Sequence, residues 1–336
     1  MRICIVGTGA IGGFLGAKLS VSGHELTFID QGEQLKALQK KGLRLIMQDG
    51  AEYHVTGGHF TGQFDKAGPQ DFIILAVKAH HISQVAERIP LLYDTDTTVV
   101  TVQNGIPWWY FHKHGGAFEG SRLASLDPSG VITANIDADR IIGCIAYPAA
   151  AVIEPGVIQH VEGIRFSVGE LNGSESDRCL KLQKALIDAG FKSYILPNIR
   201  SEIWLKAWGA LSFNPISALT HATLQDICRF PETRNLAVIM MREAQAIAGK
   251  LDIEFRHTID KRIAGAEGVG AHKTSMLQDV EAGRTLETEA LIGAILELAH
   301  MTKTPAPAIE AIHACTKLLN KTYTEMKSKV NLSPLA

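Results

Sequence analysis

MRICIVGTGAIGG, residues 1–13, sets an apolar strand, Ile3 to Val6, directly against a glycine turn and an apolar helix. Strand, glycine turn and helix in that order are the setting in which a G-x-G-x-x-G run binds a dinucleotide. Gly7 permits the tight turn, Gly9 removes a side chain where backbone must approach a pyrophosphate, and Gly12 lets the helix pack close to the strand. Thr8, Ala10 and Ile11 complete the turn, and the amides of the helix N-terminus favour phosphate through the positive end of the helix dipole. A second strand, HELTFID, ends in Asp30, the acid expected about 20 residues on to accept from ribose hydroxyls. The set implies a nicotinamide cofactor; a glycine-rich strand–helix turn with no ligand is the plainer alternative.

Strand and helix patterns continue to alternate outward from this start. A polar helix spans Gln31 to Lys41, and Leu43 to Met47 with Tyr53 to Val55 flank a QDGAE turn as a hairpin. Asp71 to Val77 and Thr97 to Val102 are near-continuous apolar runs, as strands covered on both faces require. The segment from 140 to 169 reads as further strands, IIGCIAY, GVIQHV and RFSVGE, expected to extend the same sheet or cap its edge. A helix, Ser176 to Ala189, and a short strand, Ser193 to Leu196, follow. Beyond Pro197 the apolar spacing is helical: Ser201 to Phe213, Pro231 to Lys250, Ala290 to Lys303 and Ala306 to Met326. The expected architecture is an α/β Rossmann-type domain with a parallel sheet over residues 1–197, then an all-α substrate and catalytic domain over 198–336.

Composition narrows the function classes. With 46% apolar and 20% charged residues, the 336-residue chain is that of a globular protein with room for two domains. A net charge of −2 gives no electrostatic case for nucleic acid or an anionic membrane. No window holds the ~20 apolar residues of a membrane span, and with a strand read from residue 2 no signal peptide is expected. Five scattered cysteines without a C-x-x-C pair fit a reducing cytoplasm rather than a disulfide frame. His80-His81 and His112-x-His114 lack acids or cysteines at ligand spacing, so no metal is expected. The helical second half could equally build a core or a homodimer face.

Chemistry-bearing residues gather at a few places. Lys78 follows one apolar strand and Asn104 another, and ligands of open parallel sheets sit beyond the carboxyl ends of strands. A lysine there is otherwise a solvated flank, and Asn104-Gly105 otherwise a turn. In SEIWLKAWGALSFNPISAL, Lys206 and Asn214 lie eight residues apart and share a side of the helix if it continues. A lysine among apolar neighbours either snorkels or does chemistry; reducing a ketone builds charge on oxygen that such a lysine can meet with a proton. Ser275 could donate to a carboxylate or cap a helix, and Glu287 could orient Lys206 or be an exposed charge.

These motifs together resemble the ketopantoate reductases (2-dehydropantoate 2-reductases). GTGAIG, the lysine of VKA, the asparagine of QNG, the W-x-K…NP helix and SMLQD with a downstream glutamate occur in the family's order across essentially the whole chain. The resemblance implies reduction of ketopantoate to pantoate in pantothenate and coenzyme A synthesis. It makes Lys206 the general acid, Glu287 its support in the substrate site, and Asn104, Asn214 and Ser275 ligands of substrate or cofactor. Three departures stand out. Ala210 occupies a position, one turn after the lysine, where the family usually carries asparagine. Asp30 and Gln31 stand where NADPH-dependent members usually carry an arginine, which favours NADH unless Lys36 or Lys40 folds back. The segment PWWYFHKHGGAFEG after Gly105 is long; Trp108 and Trp109 either form a packed flap or reshape the pocket. A relative acting on a bulkier 2-keto acid, and a nicotinamide sensor without catalysis, are the two competing expectations.

Overall fold

The computed structural model describes residues 1–325, which fall into two compact units, Met1–Ile199 and a second from Arg200 onward. The first unit begins with β1 (Arg2–Val6), α1 (Ala10–Val21), β2 (Glu25–Ile29) and α2 (Gly32–Lys41). The hairpin β3 (Leu43–Ile46) and β4 (Glu52–Val55) follows, then β5 (His59–Thr61), a turn of helix α3 (Phe64–Ala67) and β6 (Phe72–Leu75). After a short α4 (Ile82–Val85) come β7 (Thr98–Thr101), α5 (Val131–Asn135), β8 (Ile141–Ala146), β9 (Ala149–Glu154), β10 (Val157–Glu162), β11 (Phe166–Glu170) and α6 (Asp177–Asp188).

Seven of these strands form one sheet in the order β11-β8-β7-β6-β1-β2-β5. Every pairing in it is parallel except that of β11 with β8. Beyond Arg2 its central strands β1, β6 and β7 are buried, which is why they read as unbroken apolar runs. Strand β5, the short His-Phe-Thr stretch, was not legible as a strand.

The strands from 140 to 169 do not all extend this sheet. β8 and β11 do, but β9 and β10 join the β3–β4 hairpin in a second, four-stranded sheet ordered β4-β3-β10-β9. Parallel pairing of β10 with β3 (Ile158 opposite Leu45) links residues more than a hundred apart, a contact that no local pattern encodes. The second sheet explains the helix it covers. A β-carbon at Gly13 would stand 2.6 Å from Ile158 of β10, and one at Gly16 would strike the Phe28 ring of β2. Helix α1 is thus packed between two sheets, and its sequence is apolar all round instead of striped. The expected strand Ser193 to Leu196 reduces to isolated bridges, Arg165 with Lys192 and Val168 with Ile195.

The second unit is helical. Helix α7 (Ile199–Thr220) is followed by α8 (Leu224–Arg229), α9 (Pro231–Gly249), α10 (Ile259–Gly268) and α11 (Ser275–Glu281). A π-turn over Glu289–Gly293 leads into α12 (Ala294–Met301), and α13 (Pro307–Glu325) ends the described chain; the expected helix end at Met326 lies outside the described residues. α7 does not stop near Phe213 as its pattern suggested. It runs through Pro215, because Pro215, Ile216, Ser217 and Ala218 are all buried and packing on every side outweighs the bond that proline removes. Trp204 and Trp208 anchor the helix: the Trp208 indole donates to Met241 O at 2.8 Å and its ring lies 4.3 Å from that of Phe255.

Candidate active site

At the carboxyl end of β1, each glycine meets a different demand. Gly7 has φ +95°, and a β-carbon there would lie 2.7 Å from Val77 Cγ1. A β-carbon on Gly12 would collide with Gly7 O and come within 2.8 Å of Ala76 Cβ. Around Gly9 nothing lies within 4 Å, and as N-cap of α1 it offers no capping side chain. The first-turn amides are therefore left for an outside acceptor, and open space stands where a pyrophosphate would approach. These residues fit a dinucleotide.

The turn is held from behind by side chains. The Thr8 amide donates to Asp30 Oδ2 at 2.6 Å, and Thr8 O accepts from Gln34 Nε2 at 2.6 Å. Gln34 Oε1 in turn accepts from the Gly156 amide at 3.0 Å, tying the turn to the second sheet. Burial raises the Asp30 carboxyl above its ordinary value, while the amides of Gln31 and Thr8 pull it back down. Asp30 thus serves first as a brace of the glycine turn, a role the sequence reading had not assigned. Gln34 was missed outright, since its second partner lies 122 residues away. Lys36, considered as a partner for a cofactor phosphate, instead reaches Glu33 at 2.7 Å.

Lys78 and Asn104 follow β6 and β7, which stand side by side next to β1. Gln103 staples these strand ends together, its amide nitrogen donating to Leu75 O at 2.7 Å and Val77 O at 3.1 Å. Gly105 then turns the chain with φ +83°. The aromatic segment resolves in favour of packing: Trp108, Trp109, Tyr110 and Phe111 are all buried, and the Trp109 indole donates to Thr101 Oγ1 at 3.1 Å. The rings of His80 and His81 meet edge to face at 4.2 Å, and burial followed by the charge of Lys78 lowers the His81 imidazole. His112 lies 3.1 Å from Asp139, a carboxylate brought in by the fold; no set of three or more ligating side chains that could hold a metal occurs among the described residues.

In the second unit the burial of α7 is uneven in an informative way. From Ile203 to Ala218 only Leu205, Lys206, Ala210 and Asn214 are incompletely buried. Steps of four residues put Lys206, Ala210 and Asn214 on one stripe, with the rest of the helix embedded. Asn214 Nδ2 lies 3.4 Å from Ser275 Oγ, a long contact that brings two expected site residues together. The capping role weighed for Ser275 belongs to Thr274, whose hydroxyl accepts from the Leu277 amide at 3.3 Å.

The SMLQD motif has a structural logic of its own. Asp279 accepts from Arg284 Nε at 2.8 Å, and Asp279 O accepts from the Arg284 amide at 2.8 Å. Asn320 Oδ1 takes the Leu286 amide at 3.0 Å, and the Tyr323 hydroxyl donates to Arg284 O at 3.0 Å. These bonds fix the loop that carries Glu287. The backbone carbonyl of half-buried Glu287 then accepts the Leu291 amide at 3.1 Å as the π-turn begins. Such turns interrupt helices often at functional sites.

A parallel sheet whose glycine turn presents uncapped helix amides, followed by a helical second unit, is the framework of a dinucleotide-binding protein. Residues 3–173 match the family description "Ketopantoate reductase PanE/ApbA", and residues 198–320 match "Ketopantoate reductase PanE/ApbA C terminal". A 2-dehydropantoate 2-reductase of Mesorhizobium japonicum is 47% identical over 320 residues, covering 95% of this chain and 98% of that one. A crystal structure from Ralstonia solanacearum MolK2, of a protein assigned as a ketopantoate reductase, superposes with a TM-score of 0.91 at 36% identity, covering 96% and 98% of the two chains. A D-mandelate dehydrogenase solved with NADH and anilino(oxo)acetate shares the fold at a TM-score of 0.81 and 20% identity, covering 96% and 99%. The chain belongs to the ketopantoate reductase family, whose members are NAD(P)H-dependent oxidoreductases acting on CH–OH groups. Among its described residues no helix is long and apolar enough to cross a membrane.

Proposed function

We propose that this protein reduces 2-dehydropantoate to pantoate, with NADH preferred over NADPH, as a cytoplasmic step toward pantothenate and coenzyme A. The observation that carries the reading is the α7 stripe. Lys206 is half-exposed on a stripe of a helix that is otherwise mostly buried, with Asn214 two turns on and Ser275 beside Asn214. The bound nicotinamide supplies the hydride equivalent that the keto carbon accepts. Lys206 Nζ gives its proton to the keto oxygen as negative charge develops there, so that the product leaves as an alcohol and the lysine is reprotonated from water. Glu287 orients the ammonium. Ser275 and Asn104 hold the carboxylate end of the substrate, and Asn214 the hydroxyl side. Gly7, Thr8, Gly9, Ala10, Ile11 and Gly12 seat the pyrophosphate, Asp30 the adenosine ribose, and Lys78 and Asn104 the nicotinamide end.

Preference for NADH rests on Asp30, whose carboxylate beside the ribose position repels a 2′-phosphate. Burial of Trp108 and Trp109 removes one of two supports for a bulkier substrate, leaving Ala210 as the other. A panel of 2-keto acids tests the substrate assignment. Ketopantoate should give the highest kcat/KM by a wide margin over pyruvate and phenylglyoxylate. A preference for phenylglyoxylate would overturn the substrate and leave the reaction type standing.

A further inference from the structure

The chain on either side of Glu287 is tied to one helix, α13. Before Glu287, Asn320 Oδ1 accepts the Leu286 amide and the Tyr323 hydroxyl donates to Arg284 O. After it, the Glu289 carboxylate meets His313 Nε2 at 3.3 Å and Lys317 Nζ at 3.4 Å. His313, Lys317 and Asn320 follow one another in steps of four and three residues, so they line one face of α13. That helix is itself anchored, because Glu243 of α9 accepts the Ala308 and Ile309 amides of its first turn at 3.0 and 2.9 Å. Glu287 is therefore a short span of chain between two fixed points.

The second of these points falls on the π-turn. The Ala294 amide donates to Glu289 O, five residues back. One extra residue in a turn rotates what precedes it by about 100° relative to a regular helix. Glu287 stands just before this stretch, so the direction of its side chain depends on the wide turn persisting. Gly293 gives the Glu289 carboxylate its seat: a β-carbon there would strike Oε2 and stand 3.0 Å from Cδ and 3.3 Å from His313 Nε2. Of the two cations, His313 is the one that matters. The Lys317 side chain is 57% exposed, and such pairs contribute little; that of His313 is 16% exposed. An ionised carboxylate only accepts, so the imidazole donates. This bond holds the Glu289 carboxyl below its ordinary value, although burial raises it.

We propose that Glu289 and His313 are positioning residues that lock the π-turn and thereby aim the Glu287 carboxylate at the Lys206 ammonium. The inference rests on the reading of Glu287 as the group that orients Lys206. Turns of this width are rare within helices and recur at functional sites. A carboxylate locked across one by a neighbouring helix gives it a physical reason to persist here.

The test is a double-mutant cycle read in kcat for ketopantoate. Glu289→Gln should lower kcat by roughly tenfold, as a misdirected catalytic group does, with NADH affinity near wild type. His313→Leu should give the same loss from the other side of the contact, and His313→Gln, which returns an N–H donor, should restore most of it. The Glu287→Gln background separates aiming from general packing. There Glu289→Gln and His313→Leu should each cost less than about twofold, because the carboxylate they aim is already gone. If Glu289→Gln does not fold, the two His313 variants carry the same test. Equal losses in both backgrounds, or wild-type kcat in Glu289→Gln and His313→Leu, would overturn the proposal. Wild-type kcat in Glu287→Gln alone would instead remove the reading of Glu287, and the proposal with it.

Discussion

The glycine turn after β1 and the stripe of α7, the two proposed sites, are built by opposite means. The turn works by what is missing: no β-carbon at Gly7, Gly9 or Gly12, and no side chain capping α1. The stripe works by what is left: Lys206 and Asn214, half-exposed on a helix whose other faces are packed. A site made of backbone depends on steric exclusions that few residue types satisfy. A site made of side chains depends on which face the surrounding helices leave uncovered. The first is therefore far more constrained in sequence than the second.

The largest expected effect falls on the side-chain site. Lys206→Ala should lower kcat by about 10²- to 10⁴-fold, the usual worth of a positioned acid, while leaving NADH affinity near wild type. Near-normal turnover would make the stripe a packing feature and not a catalytic one.

Two alanine substitutions in the glycine turn should separate binding from folding. Gly12→Ala meets backbone and should destabilise the fold by about 1–3 kcal/mol, read as a drop in Tm. Gly9→Ala meets nothing within 4 Å at an ordinary φ of −73°, so the fold should keep its Tm. It should nonetheless weaken NADH binding by roughly tenfold or more in calorimetry, by blocking the approach of phosphate. If the two variants behave alike, Gly9 does not face the cofactor.

Cofactor preference gives a smaller effect. Asp30→Asn should shift the NADH-to-NADPH ratio of kcat/KM toward NADPH by roughly tenfold, about 1.4 kcal/mol of repulsion removed. The wild type should show the same trend with pH. Burial raises the Asp30 carboxyl, so lowering pH toward that raised value protonates it and relieves the repulsion. The preference for NADH should then shrink as pH falls, and should be flat in the variant. Smallest of all, Ala210→Asn adds a polar group to the middle of the stripe and should lower KM for ketopantoate by up to about tenfold.

Legibility in the sequence follows the same division. The strands β1, β2, β6 and β7 could be read because burial on both faces leaves unbroken apolar runs, and the glycine turn because sterics dictate its residues. The second sheet was misassigned, since β10 pairs with β3 across more than a hundred residues. Helix α7 buries polar residues too, Glu202, Ser212 and Ser217 among them, so its spacing could not say which face stays open. There the residues offered Lys206 and Ser275 chemical roles only beside plainer ones, the family resemblance chose between them, and only the burial pattern shows the stripe. Gln34 had no local signal at all, because both its partners, Thr8 and Gly156, are distant in sequence.

Loss of nicotinamide absorbance with the purified protein and ketopantoate, run with NADH and NADPH in parallel, tests the central claim most directly. The account predicts turnover with both cofactors and a clear preference for NADH. No oxidation of either cofactor, by protein shown to bind NADH, would contradict it.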